Sequence, residues 1–191
     1  SEEEASQLLD AMTHADLDHT LAAAALMGLR VRGEAPQEVR AFAMGLRRLA
    51  VRPAIRPGVR AVDVVGTGGD GSASLNLSTG AALLAAASGM SVIKHGNRSV
   101  SSQSGSADVL EALGIPIPLD PAQSGAMFDQ TGFTFLFAPA YHPAMASIGP
   151  VTRSLGLRTI FNIAGLLANP AQPPLYVIGA FSIEMARLMA E

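Results

Sequence analysis

The chain has 191 residues with a formal net charge of −3, 49% hydrophobic and 15% charged side chains, and no cysteine. That composition supports a large buried core and excludes disorder, a disulfide framework, a thiolate nucleophile and a Cys-ligated metal. No apolar run approaches the roughly 18 residues needed to span a bilayer, and the slight acidity leaves no overall electrostatic footprint for nucleic acid.

The acidic start Ser1-Glu2-Glu3-Glu4 reads as a helix opening rather than a signal peptide, so a cytoplasmic location is expected. Helices follow. Ala5, Leu8, Leu9 and Met12 share one face, then Leu17, Leu21, Ala24 and Ala25; Gly33 ends the second helix and Pro36 opens the third. Val39, Phe42, Leu46 and Leu49 form an apolar stripe on the third. The arginines at 40, 47, 48, 52, 56 and 60 therefore read as a solvated outer face more readily than as a basic docking strip. Pro53, Pro57 and Gly58 mark a hinge over 53–60, which divides a helical domain (1–52) from the remainder of the chain.

From residue 61 the texture becomes α/β. Short apolar strands are expected at 61–65, 91–94, 133–137 and 175–178. Helices are expected from about Ser78 to Ser88 before Gly89, from Ser106 to Leu113 before Gly114, and from Asp120-Pro121 toward Gln130. Strands alternating with helices predict an α/β fold: a small N-terminal helical domain, then a mainly parallel sheet over 61–191 with helices on both faces. After Glu191 no element is left to close the sheet. The domain is therefore expected to be incomplete and inactive on its own, with an exposed strand edge.

Ligands of a parallel sheet bind at the carboxyl ends of its strands. The first such loop, Gly66-Thr-Gly-Gly-Asp-Gly71, satisfies G-x-G-x-x-G. A dinucleotide loop, however, should open directly into its helix and be followed after the next strand by an acidic residue. Here residues 72–77 intervene and the next strand ends in Lys94-His95, so a nicotinamide-dependent enzyme is disfavoured. A P-loop is excluded because no Gly-Lys-Ser/Thr follows. What remains is a phosphate cradle in pieces: glycine backbone, Ser78 and Thr79 at a helix N-terminus, and donors from Asn76, Lys94, Asn97, Arg98, Ser99, Ser101, Ser102, Ser104 and Ser106. Lys94 is the single lysine among thirteen basic residues, which hints at a site wanting a compact ammonium. His14 and His19 read as surface residues. His95 and His142 lack the neighbours of a zinc site, and His95 suits positioning better than general-base work.

The segments Asp63-Val-Val-Gly-Thr-Gly-Gly-Asp-Gly71, Asn76-Leu-Ser-Thr79, Lys94-His-Gly-Asn-Arg-Ser-Val-Ser-Ser102 and Ser104-Gly-Ser-Ala-Asp-Val-Leu-Glu-Ala-Leu-Gly114 resemble the signatures of the anthranilate phosphoribosyltransferases, within glycosyltransferase family 3. The Lys-His-Gly-Asn-Arg run separates them from the pyrimidine nucleoside phosphorylases of the same fold. Met27-Gly-Leu-Arg30, Gly33-Glu34 and His142-Pro-Ala-Met145 extend the resemblance over essentially the whole chain.

The resemblance implies transfer of a phosphoribosyl group from phosphoribosyl pyrophosphate (PRPP) to anthranilate in tryptophan biosynthesis, with Mg²⁺ as cofactor and a homodimer formed through the helical domain. By position, Gly66, Gly69 and Asp70 would line the PRPP and acceptor pocket. Asn76, Ser78 and Thr79 would hold the pyrophosphate, with Ser78 also on Mg²⁺. Lys94 would contact phosphate, His95 and Asn97 would flank the reacting centre, Ser106 would sit near the pyrophosphate and His142 by the acceptor entrance. Two positions depart from the family pattern. Thr152 stands where an arginine meets the anthranilate carboxylate, with Arg153 next to it, and Leu166 replaces a pocket-lining proline. The family also carries an Asp-Glu pair for Mg²⁺ in a later segment. The alternatives are a related enzyme with a different acceptor, or a protein that only binds nucleotides or other anionic ligands. The glycine loop, Asn76–Thr79 and Lys94–Ser106 are expected to converge on one pocket, with Lys94, Asn97 and Thr79 facing Gly68.

Overall fold

The computed structural model describes residues 1–67, 75–99 and 104–191. They form two compact units, Ser1–Ala50 with His142–Ala168 and Ser182–Glu191, and Val51–Tyr141 with Asn169–Phe181. The chain thus passes between them four times. The expected single boundary at 53–60 separates residues 1–50 from the sheet but does not capture the later helical segments, which pack with the N-terminal helices.

In the helical unit, α1 (Glu2–Met12), α2 (His19–Arg32) and α3 (Pro36–Leu49) form near the expected positions, but α2 buries Ala22 and Leu26, while Leu21 and Ala24 of its expected apolar face are exposed. Ser1 and Glu4 close a capping box on α1, and Asp18 caps α2 by accepting from the Thr20 and Leu21 N–H groups. Leu9, Met12, Leu26, Val39, Phe42 and Leu46 are buried, with Phe42 edge-on to Phe161 at 5.3 Å. The arginines lie outside this stripe. Arg40 and Arg48 pair with Glu2 and Asp10 of α1 at 2.7 and 2.6 Å, and Arg47 Nε donates to Leu167 O at 2.6 Å.

The α/β unit holds β1 (Val62–Gly66), α4 (Leu77–Ala87), β2 (Val92–Gly96), α5 (Ser106–Ala112), α6 (Pro121–Thr131), β3 (Phe133–Phe137), a short α7 (Ala138–Tyr141) and β4 (Leu175–Gly179). The helical unit adds α8 (Gly149–Leu155), α9 (Ile160–Ala164) and α10 (Ile183–Ala190), the first two of which the sequence pattern did not resolve. All four strands are parallel in the order β3-β2-β1-β4. Val62, Val92, Phe133 and Phe135 face a core with Ala82 of α4 and Ala107 and Leu110 of α5; Ile93 and Leu136 face Phe128 and Tyr141 on the other side. Gly89 and Gly114 end α4 and α5 with φ of 90° and 86°, a region that other residues adopt only under strain.

Residues 51–60 are a packed segment rather than a free hinge. Val51 N–H donates to Tyr141 O (2.8 Å) and Ala54 N–H to Pro121 O (2.9 Å), and Pro53 is buried. Gly125 of α6 lies directly against Ala54: a Cβ there would collide with the Ala54 carbonyl, whose carbon would be only 2.9 Å away. Backbone cannot yield as a side-chain tip can. Gly125→Ala is therefore expected to destabilise the protein by about 1–3 kcal/mol in denaturant unfolding; an unchanged midpoint would show that this contact is looser than it stands.

Candidate anion-binding site

Because the strands are parallel, the loops after β1 and β2 leave the same edge of the sheet. Thr67, just past β1, is tied to the end of β4: its N–H donates to Gly179 O at 2.8 Å and its hydroxyl accepts from Phe181 N–H at 3.1 Å. Helices α4 and α5 begin at this edge and are stitched together. Thr79 Oγ1, fully buried, donates to Ser106 Oγ at 3.0 Å, and Asn76 Nδ2 reaches Ser104 Oγ at 3.4 Å. Asn76 O accepts from the Thr79 and Gly80 N–H groups, closing the first turn of α4. Ala107 N–H donates to Asn97 O at 3.3 Å, and a Cβ on Gly96 would stand 3.1 Å from the Phe135 ring and 3.5 Å from Ser106 Cβ, so β2 ends flush against α5.

A second cluster fixes the start of α5. The Asp108 carboxylate accepts from Gly105 N–H (2.7 Å) and Ser99 N–H (3.2 Å), while Arg98 forks onto Asp108 and Glu111 and lies 5.5 Å above the Phe137 ring. A Cβ on Gly105 would fall 2.5 Å from the Arg98 carbonyl carbon, so only glycine fits. The sequence reading treated Arg98 as an anion donor and passed over Asp108 and Glu111. The available signal was an acidic residue three positions into a helix.

Beneath this edge lies a buried polar group. Asp63 accepts from His95 N–H at Oδ1 (3.2 Å) and from Asn169 Nδ2 at Oδ2 (2.8 Å). Asn169 Nδ2 also donates to Ile93 O (2.9 Å), and its Oδ1 accepts from Ala171 N–H (2.9 Å). Lys94, 1% exposed, donates from Nζ to Val64 O. Burial pushes the Asp63 carboxyl up to about 6, against the pull of Asn169, Lys94 and the backbone N–H groups. Burial likewise pushes Lys94 down to about 8, with Asp63 opposing it.

Of the expected site residues, Gly66, Asn76, Ser78, Thr79, Lys94, His95, Asn97 and Ser106 all lie in the α/β unit at or just under this edge. Thr79 and Lys94 lie on the same side of the sheet as the core formed with α4 and α5. His95, the next residue of β2, points to the opposite face. Gly68, Gly69 and Asp70 lie outside the described residues. His142 and Thr152 belong to the helical unit. His142 is buried, and burial lowers its pKa against backbone contacts at Leu46 and Ala168. Thr152 Oγ1 donates to Gly149 O at 3.0 Å within α8, and Arg153 curls back so that its Nη1 would be 3.3 Å from a Cβ on Gly149.

The helical bundle domain of the glycosyl transferase family matches residues 1–50, and the a/b domain of that family matches residues 58–191. The chain belongs to the glycosyl transferase family. It is 50% identical over 179 residues to anthranilate phosphoribosyltransferase from Burkholderia mallei (strain SAVP1), covering 94% of the chain and 52% of the relative. To the enzyme of that name from Stenotrophomonas maltophilia (strain R551-3) it is 47% identical over 188 residues, covering 98% and 55%. Among solved structures, anthranilate phosphoribosyltransferase from Thermus thermophilus superposes with a TM-score of 0.91 at 47% identity, over 100% of this chain and 57% of that one. The Saccharomyces cerevisiae enzyme in complex with PRPP and Mg gives 0.81 at 26% identity, over 99% and 55%. The chain thus spans about half the length of the curated relatives it matches. Among the described residues no helix is long and apolar enough to cross a membrane.

Within this glycosyl transferase sheet the raised Asp63 pKa has a definite sign. A carboxyl whose pKa is higher folded than unfolded contributes stability that is full below its ordinary 3.8 and is lost as pH rises through about 6. Asn169, the Lys94 ammonium and the backbone N–H groups of His95 and Val64 face it. Between pH 4 and pH 7, wild-type stability should therefore fall relative to Asp63→Asn by roughly 2–3 kcal/mol, read by urea unfolding at each pH. A difference that stays flat across that range would contradict the buried ionisation.

Proposed function

We propose that the protein carrying this chain transfers the phosphoribosyl group of PRPP to an aromatic amine, anthranilate in the first instance, releasing pyrophosphate in a step of tryptophan biosynthesis. The observation that carries the reading is the joining of the first turns of α4 and α5, through Thr79 and Ser106, at the sheet edge where β1 and β2 end. The Leu77, Thr79 and Ala107 N–H groups are taken by Leu75 O, Asn76 O and Asn97 O, so an anion here is met by the side-chain hydroxyls and amide of these first turns and by the positive end of the helix dipole, which suits a diphosphate. The superposition of the whole chain on 57% of a bacterial anthranilate phosphoribosyltransferase structure supports it.

In this reading Asn76, Ser78, Thr79 and Ser106 hold the pyrophosphate. Gly66, Gly69 and Asp70 line the ribose and acceptor side, and His95 and Asn97 flank the reacting carbon. Lys94 supplies positive charge close below the cleft. The amine nitrogen forms its bond to ribose C1, the C1–oxygen bond to pyrophosphate breaks with its electron pair leaving on pyrophosphate, and the amine sheds a proton. A ribose carbon passing through positive character needs orientation and charge neutralisation rather than a covalent partner. Mg²⁺ would neutralise the leaving pyrophosphate. The half-buried Ser78 hydroxyl in the first turn of α4 is a hard oxygen ligand suited to it. A cytoplasmic homodimer goes with this reading. The side of α2 bearing Leu21, Ala24, Gly28 and Val31 is exposed, Val31 by 81%, and offers an apolar face for a second copy.

One observation favours a different acceptor. Thr152 commits its hydroxyl to its own helix and presents no cation, and Arg153 folds back over Gly149. A charge-assisted bond to a carboxylate is worth about 1.5–3 kcal/mol, roughly ten- to a hundredfold in affinity. Steady-state turnover of PRPP with anthranilate by the full-length protein tests both readings. Mg²⁺-dependent release of pyrophosphate is expected, with a high KM for anthranilate that falls at least tenfold in Thr152→Arg/Leu166→Pro. An ordinary KM unchanged by those substitutions would remove the different-acceptor reading, and absence of turnover with any aromatic amine would remove the transferase reading.

A further inference from the structure

Strands β1–β4 and β2–β3 are each paired over five residues, but β1 and β2 are paired only at Val62 and Val92. Val62 N–H bonds to Ser91 O at 2.9 Å. Continuing that parallel register, the next rungs would run from Val64 N–H to Ile93 O and from His95 N–H to Val64 O. The register stops instead, and side chains meet these groups. Ile93 O accepts from Asn169 Nδ2, Val64 O from Lys94 Nζ, and His95 N–H donates to Asp63 Oδ1, with the Val64 N–H also against that carboxylate.

The residue types match the vacancy one for one. The two carbonyls need donors, and an ammonium and an amide NH₂ provide them. The two N–H groups need an acceptor, and a carboxylate provides it. Asp63, Lys94 and Asn169 are respectively 0%, 1% and 0% exposed. Buried ionic groups are a poor route to stability compared with a closed ladder under apolar side chains, which saturates the same backbone groups at no desolvation cost. Their arrangement accounts instead for a feature of the sheet, the end of ladder pairing between two neighbouring strands before Gly66 and Gly96.

We propose that Asp63 and Asn169, with Lys94, are positioning residues: a polar wedge that replaces the β1–β2 ladder and sets the gap between the strand ends Gly66–Thr67 and Gly96–Asn97 in which the phosphoribosyl ligand is seated. The proposal rests on the phosphoribosyl reading of this edge. Without the wedge the two strands zip together, and the strand ends Gly66–Thr67 and Gly96–Asn97 approach too closely to admit the ligand.

The test is a crystal structure, PRPP titration calorimetry and thermal unfolding of the full-length protein and its Asp63→Val/Asn169→Val variant. The expected result is His95 N–H bonded to Val64 O in the variant and PRPP affinity reduced more than about tenfold, with a cooperative thermal transition showing that the variant is folded. Strands that stay apart in the variant, or PRPP affinity within about threefold of wild type, overturn the wedge. Should that variant not fold, Asp63→Asn keeps the shape but turns a donor toward Asn169 Nδ2. It should raise the KM for PRPP at least fivefold with kcat within threefold, and an unchanged KM overturns the proposal. If wild type itself fails to bind PRPP, the phosphoribosyl reading falls, and the strand spacing in the variant still decides whether the wedge exists.

Discussion

Asp63 sits in the middle of a strand, fully buried, with hydrogen-bond donors converging on both of its oxygens. Much of the α/β unit is organised around it. Through His95 N–H it holds the end of β2, and through Asn169 it holds both the Ile93 carbonyl and the turn leading to Ala171. An unpaired carboxylate in such a place would be severely penalised. Its presence therefore obliges the surrounding backbone to supply N–H groups, and backbone that serves a side chain cannot also serve a ladder. One buried charge thereby dictates where the pairing of two strands stops.

The end of the ladder lies just below the edge where the ligand is proposed to sit. The loops from Gly66 and Gly96 leave on the same edge, α4 and α5 start there, and Thr79, Ser106 and Asn76 bind the two starts together. The Arg98–Asp108–Glu111 cluster and the close fit of Gly105 against Arg98 hold the entry of α5 in place. Binding of a highly charged diphosphate favours such an arrangement. Side-chain donors fixed before the ligand arrives need little reorganisation when it binds.

Local signals carried much of this in the sequence. The strands at 62–66, 92–96, 133–137 and 175–179 are short β-branched or aromatic runs between turn residues, and α1, α2 and α6 have caps or prolines at their starts. The glycine, serine and asparagine donors could be placed on strand ends because parallel topology leaves them nowhere else. The wedge was not legible, because an aspartate in a strand and an asparagine 106 positions later announce no partnership until the fold juxtaposes them. Lys94, the only lysine, reads from sequence as a compact ammonium at a phosphate site; its bond to Val64 O depends on the β1–β2 ladder stopping, which no local pattern encodes. The helical character of 142–168 was also hidden. Its elements are three to seven residues long, with Pro143 and Pro150 at the starts of two of them and Gly156 ending another, and they are stabilised by packing against α2 and α3 rather than by propensity.

The most direct measurement is a crystal structure of the full-length protein with PRPP and Mg²⁺. The account predicts the diphosphate against the first turns of α4 and α5, within hydrogen-bonding distance of Asn76, Thr79 or Ser106. It also predicts that β1 and β2 remain unpaired beyond Val62 and Val92, with Asp63 still bonded to His95 N–H and Asn169. A diphosphate bound elsewhere, or strands that close into a continuous ladder when the ligand is seated, would contradict it.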